Sequence, residues 1–68
     1  MQISARNQLQ GTVTGVTTGN VMAEVTVDVA GQEIVAAVTR GSVESLGLVV
    51  GDDVTVVIKA TEVMLAKG

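Results

Sequence analysis

This 68-residue chain carries four Lys and Arg against seven Asp and Glu, and two of its cations stand beside hydroxyl side chains near opposite ends. Arg6 lies in Ser4-Ala5-Arg6-Asn7-Gln8 and Lys59 in Ile58-Lys59-Ala60-Thr61. On an extended segment Ser4 and Arg6, two apart, project to one face and present a hydroxyl with a five-donor guanidinium. Lys59 ends a strand-like run, and Thr61 follows it across Ala60. Thr39 and Ser42 flank Arg40-Gly41 at an expected helix start, where free N–H groups and the helix dipole favour an anion. These are donors without matching acceptors, and the chemistry they suit is the holding of an anion. Each has an ordinary role as well. Arg6 suits a surface ion pair with Glu62, Lys59 an aliphatic stem laid along valines, and Ser42 a helix cap.

Other chemistries are poorly supplied. The chain has no His, Cys or Tyr, so a general base near neutral pH would have to be a strongly perturbed carboxylate or lysine. Asp52-Asp53 is the adjacent acidic pair, and it follows Gly51 in a turn, where solvated charge is the ordinary state. The same pair lacks the further oxygen ligands that a divalent cation needs. No glycine cluster stands in the order of a phosphate-binding loop. A net charge of −3 and the absence of aromatic residues argue against nucleic acid, whose single strands are gripped by stacking in a basic groove. A non-enzymatic protein without nucleic-acid or membrane partners, and without a cofactor, is expected.

Size bears on assembly. A domain this small buries too little surface to be more than marginally stable alone, and the common supplements are disulfides, a structural metal or oligomerisation. Without Cys or His the first two have no ligands. Hydrophobic residues make up 47% of the chain with no aromatic among them, leaving apolar surface for a second subunit, and a homo-oligomer is expected. MQISARNQ has neither the basic nor the apolar region of a signal peptide, and no apolar run approaches a membrane span. The expected location is the cytoplasm.

The elements that must position these residues follow from hydrophobic period. Alternation through Gly11-Thr12-Val13-Thr14-Gly15-Val16 and Glu24-Val25-Thr26-Val27-Asp28-Val29 predicts two strands, each with one buried face. Gly19-Asn20, a dipeptide that tolerates positive φ, is read as the tight hairpin turn between them. After Ala30-Gly31-Gln32, Glu33 to Thr39 is a third strand. The period then lengthens: Val43 and Leu46 are three apart, Ser42 is the expected N-cap and Gly47 the C-cap of a short helix. Val54 to Lys59 and Glu62-Val63-Met64-Leu65 are the fourth and fifth strands. The order βββαββ fits an all-β fold, a small five-stranded Greek-key barrel of the oligonucleotide/oligosaccharide-binding type with one helix between strands 3 and 4. A five-stranded open sheet with one helix is the competing topology.

Two segments carry a family resemblance over the whole chain, 1–68, read as a single domain. Ile3-Ser4-Ala5-Arg6-Asn7-Gln8-Leu9-Gln10-Gly11 and Val57-Ile58-Lys59-Ala60-Thr61-Glu62-Val63-Met64 closely resemble the molbindins, small cytoplasmic molybdate-binding proteins of bacteria. The same domain is similar to the sensing half of a molybdate-responsive regulator and to an accessory domain of molybdate-transporter ATPases. The resemblance implies the five-stranded barrel, a hexamer assembled as a trimer of dimers, and molybdate or tungstate bound at subunit interfaces for storage and homeostasis. By that resemblance Ser4, Arg6 and Lys59 contact the oxyanion, and Thr39, Ser42, Val43, Ala60 and Thr61 complete the site with main-chain and hydroxyl donors. It also implies a second class of site near a threefold axis. If Ser4 and Arg6 come from one subunit and the Lys59 loop and helix start from another, the interface encloses the ion and supplies enough donors. Two other functions fit the same residues. One is a sensing module for another tetrahedral oxyanion such as sulfate, and the other a structural oligomerisation domain with no ligand.

Overall fold

The computed structural model describes residues 3–68. Four strands, β1 (Asn7–Thr18), β2 (Met22–Val29), β3 (Gln32–Thr39) and β4 (Asp53–Ile58), form one sheet, with helix α1 (Arg40–Leu46) between β3 and β4 and a 3₁₀ turn at Ala60–Glu62. The spatial order is β3-β2-β1-β4, with every neighbouring pair antiparallel. In β2, buried Ala23, Val25 and Val27 alternate with Glu24, Thr26 and Asp28, so the side-chain period of two separates core from surface. Residues Val13, Ala23, Val25, Val27 and Val43 are the buried core, with Val16, Val29, Ala36, Val38, Leu48, Val54 and Val56 packed around it. Val43 is the side chain that anchors α1 to the sheet.

Two local features bend the long strand β1. Its pairing with β2 shifts register between Val13 and Gly15, a bulge that increases twist. At Gly11 a Cβ would stand 2.6 Å from Val27 Cγ1 and 2.7 Å from the Asp28 carbonyl oxygen, an approach that only glycine permits. β1 therefore serves both neighbours, pairing with β2 along its second half and with β4 from Asn7 to Thr12.

The sequence reading is corrected at four places. Glu62-Val63-Met64-Leu65 is not a strand: Glu62 closes the 3₁₀ turn and the residues after it have no regular structure. Met64 and Leu65 are 93% and 94% exposed, so within one chain this segment has no strand to pair with and no core to cover. The sheet accordingly has four strands and is open, with β3 and β4 at its edges, and closure into a five-stranded barrel is not reached in the single chain. The helix cap is Thr39, whose Oγ1 accepts from the Ser42 N–H at 3.0 Å; Ser42 is the third helical residue, and its hydroxyl lies 2.7 Å from that of Thr39. Gly47 is the C-cap as expected, at φ 63°.

The fourth correction concerns turns. The β1–β2 turn falls at 19–21, closed by the Gly19 N–H donating to the Met22 carbonyl at 2.8 Å, but neither Gly19 nor Asn20 has positive φ. That conformation occurs instead at Ala30 (φ 50°) and Gly31 (φ 84°), between the paired residues Val29 and Gln32. Positive φ at both central residues is the type I′ hairpin, whose twist matches that of its strands. Alanine is a poor occupant, because a Cβ in the left-handed region costs on the order of 1 kcal/mol. Ala30→Asn, which suits the left-handed region, is expected to raise stability by up to about that amount, measured as a higher urea midpoint at unchanged slope.

Candidate oxyanion cleft

The β1–β4 ladder ends where Asn7 pairs with Ile58. The residues just outside that last rung, Ile3 to Arg6 on one side and Lys59 to Thr61 on the other, line a single open cleft of about 420 Å³. The segments are 53 positions apart in sequence, counting from Arg6 to Lys59. Strand pairing alone brings them together. Ser4 and Arg6 are not on a strand, as the two-residue spacing predicts; both are bends in the irregular lead-in to β1. They nonetheless reach the same cleft, because the rung holds their segment beside Lys59.

Lys59 likewise lies outside β4 and precedes the 3₁₀ turn as its cap residue. Within that turn the Glu62 N–H donates to the Lys59 carbonyl at 2.9 Å, so the turn does not use the N–H groups of Ala60 and Thr61. Those two residues bring main-chain donors, and Thr61 a hydroxyl, to the wall that carries the Lys59 ammonium. On the facing wall stand Ser4 and Arg6, both exposed. No Asp or Glu lines the cleft. Among the described residues the ion pair is Arg40 with Glu44, at 2.9 Å on the exposed face of α1, and the surface pairing of Arg6 with Glu62 does not form. Two cations thus share an acceptor-poor cleft in a chain whose net charge is −3.

Three of the eight expected site residues lie elsewhere. Thr39 pairs with Met22, next to the end of β1 that carries Thr18, whereas the cleft adjoins the end that carries Asn7. The 12 residues of β1 give roughly 35 Å of strand path at ~3.3 Å per residue. Ser42 and Val43 follow Thr39 on α1, and the Val43 side chain is buried in the core. Thr39 Oγ1 already serves as the helix cap. One chain therefore presents two separated donor groups: Ser4, Arg6 and the Lys59 loop line one cleft, and the helix start stands apart from it.

The other acidic candidates have structural roles. Asp52 Oδ2 accepts from the Val49 N–H at 3.0 Å and so closes its own turn, and Asp53 Oδ1 lies 3.5 Å from the Thr12 hydroxyl on the neighbouring strand. Among the described residues no group of three or more His, Cys, Asp or Glu is placed to hold a metal ion, and no helix is long and apolar enough to cross a membrane. Sequence reading passes over Gln8, whose side-chain amide donates to the Ala5 carbonyl at 2.7 Å. A glutamine at the start of a strand carries no signal of such a contact.

Known proteins share this sequence pattern and fold. The TOBE domain model matches residues 3–65. Molybdenum-pterin-binding protein 1 of Clostridium pasteurianum is 47% identical over 66 residues, spanning 96% of this chain and 97% of that protein. A molybdate-binding protein from Sporomusa ovata has the same fold with a TM-score of 0.94 at 49% identity, covering 98% of this chain and 100% of that one. The cytoplasmic molybdate-binding protein ModG, in a form with molybdate bound, aligns with a TM-score of 0.82 at 48% identity over 88% of this chain and 43% of its own. With a family match over nearly its whole length and end-to-end similarity to small proteins of its own size, the chain belongs to the TOBE-domain family, among its molbindin-type members.

Proposed function

We propose that this protein is a non-enzymatic, cytoplasmic molybdate- and tungstate-binding protein that stores and buffers the oxyanion, and that it works as a homo-oligomer, a hexamer built as a trimer of dimers. The observation that carries the reading is the cleft at the end of the β1–β4 ladder, where Arg6, Lys59, Ser4 and Thr61 meet with no carboxylate among the lining residues. Molybdate is a tetrahedral dianion with four acceptor oxygens and no donor, and such an ion needs many N–H and O–H groups and no competing negative charge. Two similar solved proteins are named for binding molybdate, and the curated relative is named for molybdenum-pterin.

Size argues for a second copy. Four oxygens, each claiming the ~30 Å³ of a water molecule, fill roughly 120 Å³, a fraction of the 420 Å³ cleft. A single chain leaves the ion open to solvent on one side. The donors of the helix start, Thr39, Ser42 and the main chain at Val43, are too far along β1 to close that side from the same chain, and in the proposed assembly a neighbouring subunit supplies them. Apolar surface supports such an assembly: Val21, Leu46, Val50, Met64 and Leu65 are each more than 60% exposed. The 63–65 segment and the open edges of β3 and β4 are the places where a fifth strand would form between copies.

Isothermal titration with molybdate, tungstate, sulfate and phosphate tests the ligand. Molybdate and tungstate should bind, and phosphate should not compete, since its remaining proton near neutrality is a donor that the cleft has no carboxylate to accept. Sulfate binding as tightly as molybdate would favour a sensing module for that ion. No uptake of any of the four would leave a structural oligomerisation domain. The pH dependence is also set by composition. With no His in the chain, the side-chain type that switches charge near neutrality is missing. Molybdate affinity should change by less than about twofold between pH 6 and 8. A steep dependence in that range would mean a different ligand or a titrating group in the site.

A further inference from the structure

We propose that Gln8 is a positioning residue for the cleft, an inference that rests on the oxyanion reading above. Ala5 stands between the two donors Ser4 and Arg6 and lines the cleft with them. Its carbonyl is a main-chain acceptor that falls between the two donor residues in sequence. Unsatisfied, that oxygen would repel a dianion and would also compete with it for the Arg6 and Lys59 donors. The Gln8 Nε2 donates to it at 2.7 Å, and Gln8 is itself fixed in the ladder opposite Val57, one rung inside the Asn7–Ile58 pair.

The contact does two things. It occupies the Ala5 oxygen with an internal donor, and it closes the bend at 4–6 onto a rigid strand, so that Ser4 and Arg6 are held in place before the ion arrives. Among the described residues it is the one side-chain hydrogen bond made to the 3–6 segment. Preorganised donors bind more tightly than donors that must be ordered on binding. Both Gln8 and the contact are exposed, so losing it should leave the fold intact.

Gln8→Met retains the length of the side chain and removes the donor. In the ligand-free protein the ¹³C′ resonance of Ala5 should move in the variant, while the amide resonances of Asn7 and Ile58, the melting temperature and the oligomer mass stay as in wild type. Molybdate affinity should fall about tenfold at unchanged stoichiometry, with the loss in the dissociation rate. An Ala5 carbonyl signal that does not move means that the clamp is absent and overturns the proposal. A signal that moves with affinity within twofold of wild type overturns the positioning role. Loss of affinity together with altered ladder resonances or a lowered melting temperature would make Gln8 a residue of the strand only, and overturns it too. Wild type is titrated first, so failure of the oxyanion reading is seen there as no uptake, before any substitution is made.

Discussion

Replacing Arg6 by alanine is expected to weaken molybdate binding by about two orders of magnitude or more, and replacing it by lysine by about ten- to a hundredfold. The guanidinium offers two parallel N–H groups to two oxygens of one ion, whereas an ammonium on a flexible stem offers a point charge. Each charge-assisted hydrogen bond is worth about 1.5–3 kcal/mol, so losing one of two gives the lysine figure and losing both gives the alanine figure or beyond. Because Arg6 is exposed and has no ion pair among the described residues, neither substitution removes a contact that the fold needs. The ligand-free melting temperature should therefore hold while the affinity falls. Titration of the three proteins with molybdate decides it, and equal dissociation constants for all three would remove Arg6 from the site.

A comparably large effect is expected in stability. If the ion binds the assembled, folded protein and not the unfolded chain, free molybdate at a hundred times its dissociation constant adds about 2.7 kcal/mol per independent site. For a domain of this size each kcal/mol moves the melting temperature by about 4–8 °C, so a rise of roughly 10–20 °C is predicted. Without ligand, Arg6 and Lys59 share one cleft with no carboxylate between them, and their repulsion is felt most at low salt. Lys59→Ala should relieve it, giving a ligand-free protein at least as stable as wild type, and should at the same time abolish most of the molybdate-induced rise. Thermal unfolding and sedimentation of both proteins, with and without molybdate, test this. Equal stabilisation of wild type and Lys59→Ala would place the ion away from Lys59.

What could be read from sequence and what could not divide along the range of the interactions. The alternation of β2 sorts Val25 and Val27 inward from Glu24 and Asp28 by local chemistry, and Gly47 marks the helix end because a left-handed residue is needed there. The cap fell to Thr39 and not to the expected Ser42 because the helix begins at Arg40, directly after β3. Positive φ went to Ala30-Gly31 rather than Gly19-Asn20 because a two-residue hairpin demands it while the wider loop at 19–21 does not. Val63-Met64-Leu65 has the composition of a strand, but a strand exists only by pairing, and within one chain there is no free neighbour beside it. The cleft was legible as two donor-rich segments. Their meeting depended on the register of Asn7 against Ile58, which no local pattern specifies, and the separation of the helix start from them depended on the length of β1.

The central claim is that one oxyanion sits in the cleft at the end of the β1–β4 ladder. Crystals grown with tungstate would locate it directly, since tungsten's anomalous scattering marks the ion independently of any interpretation of the surrounding density. A tungsten peak is expected within hydrogen-bonding reach of the Arg6 guanidinium, the Lys59 ammonium and the Ser4 and Thr61 hydroxyls, with the Thr39–Val43 segment of a neighbouring subunit closing the open side. Strong anomalous density elsewhere with this cleft left empty, or no ordered tungsten at saturating tungstate, would contradict it.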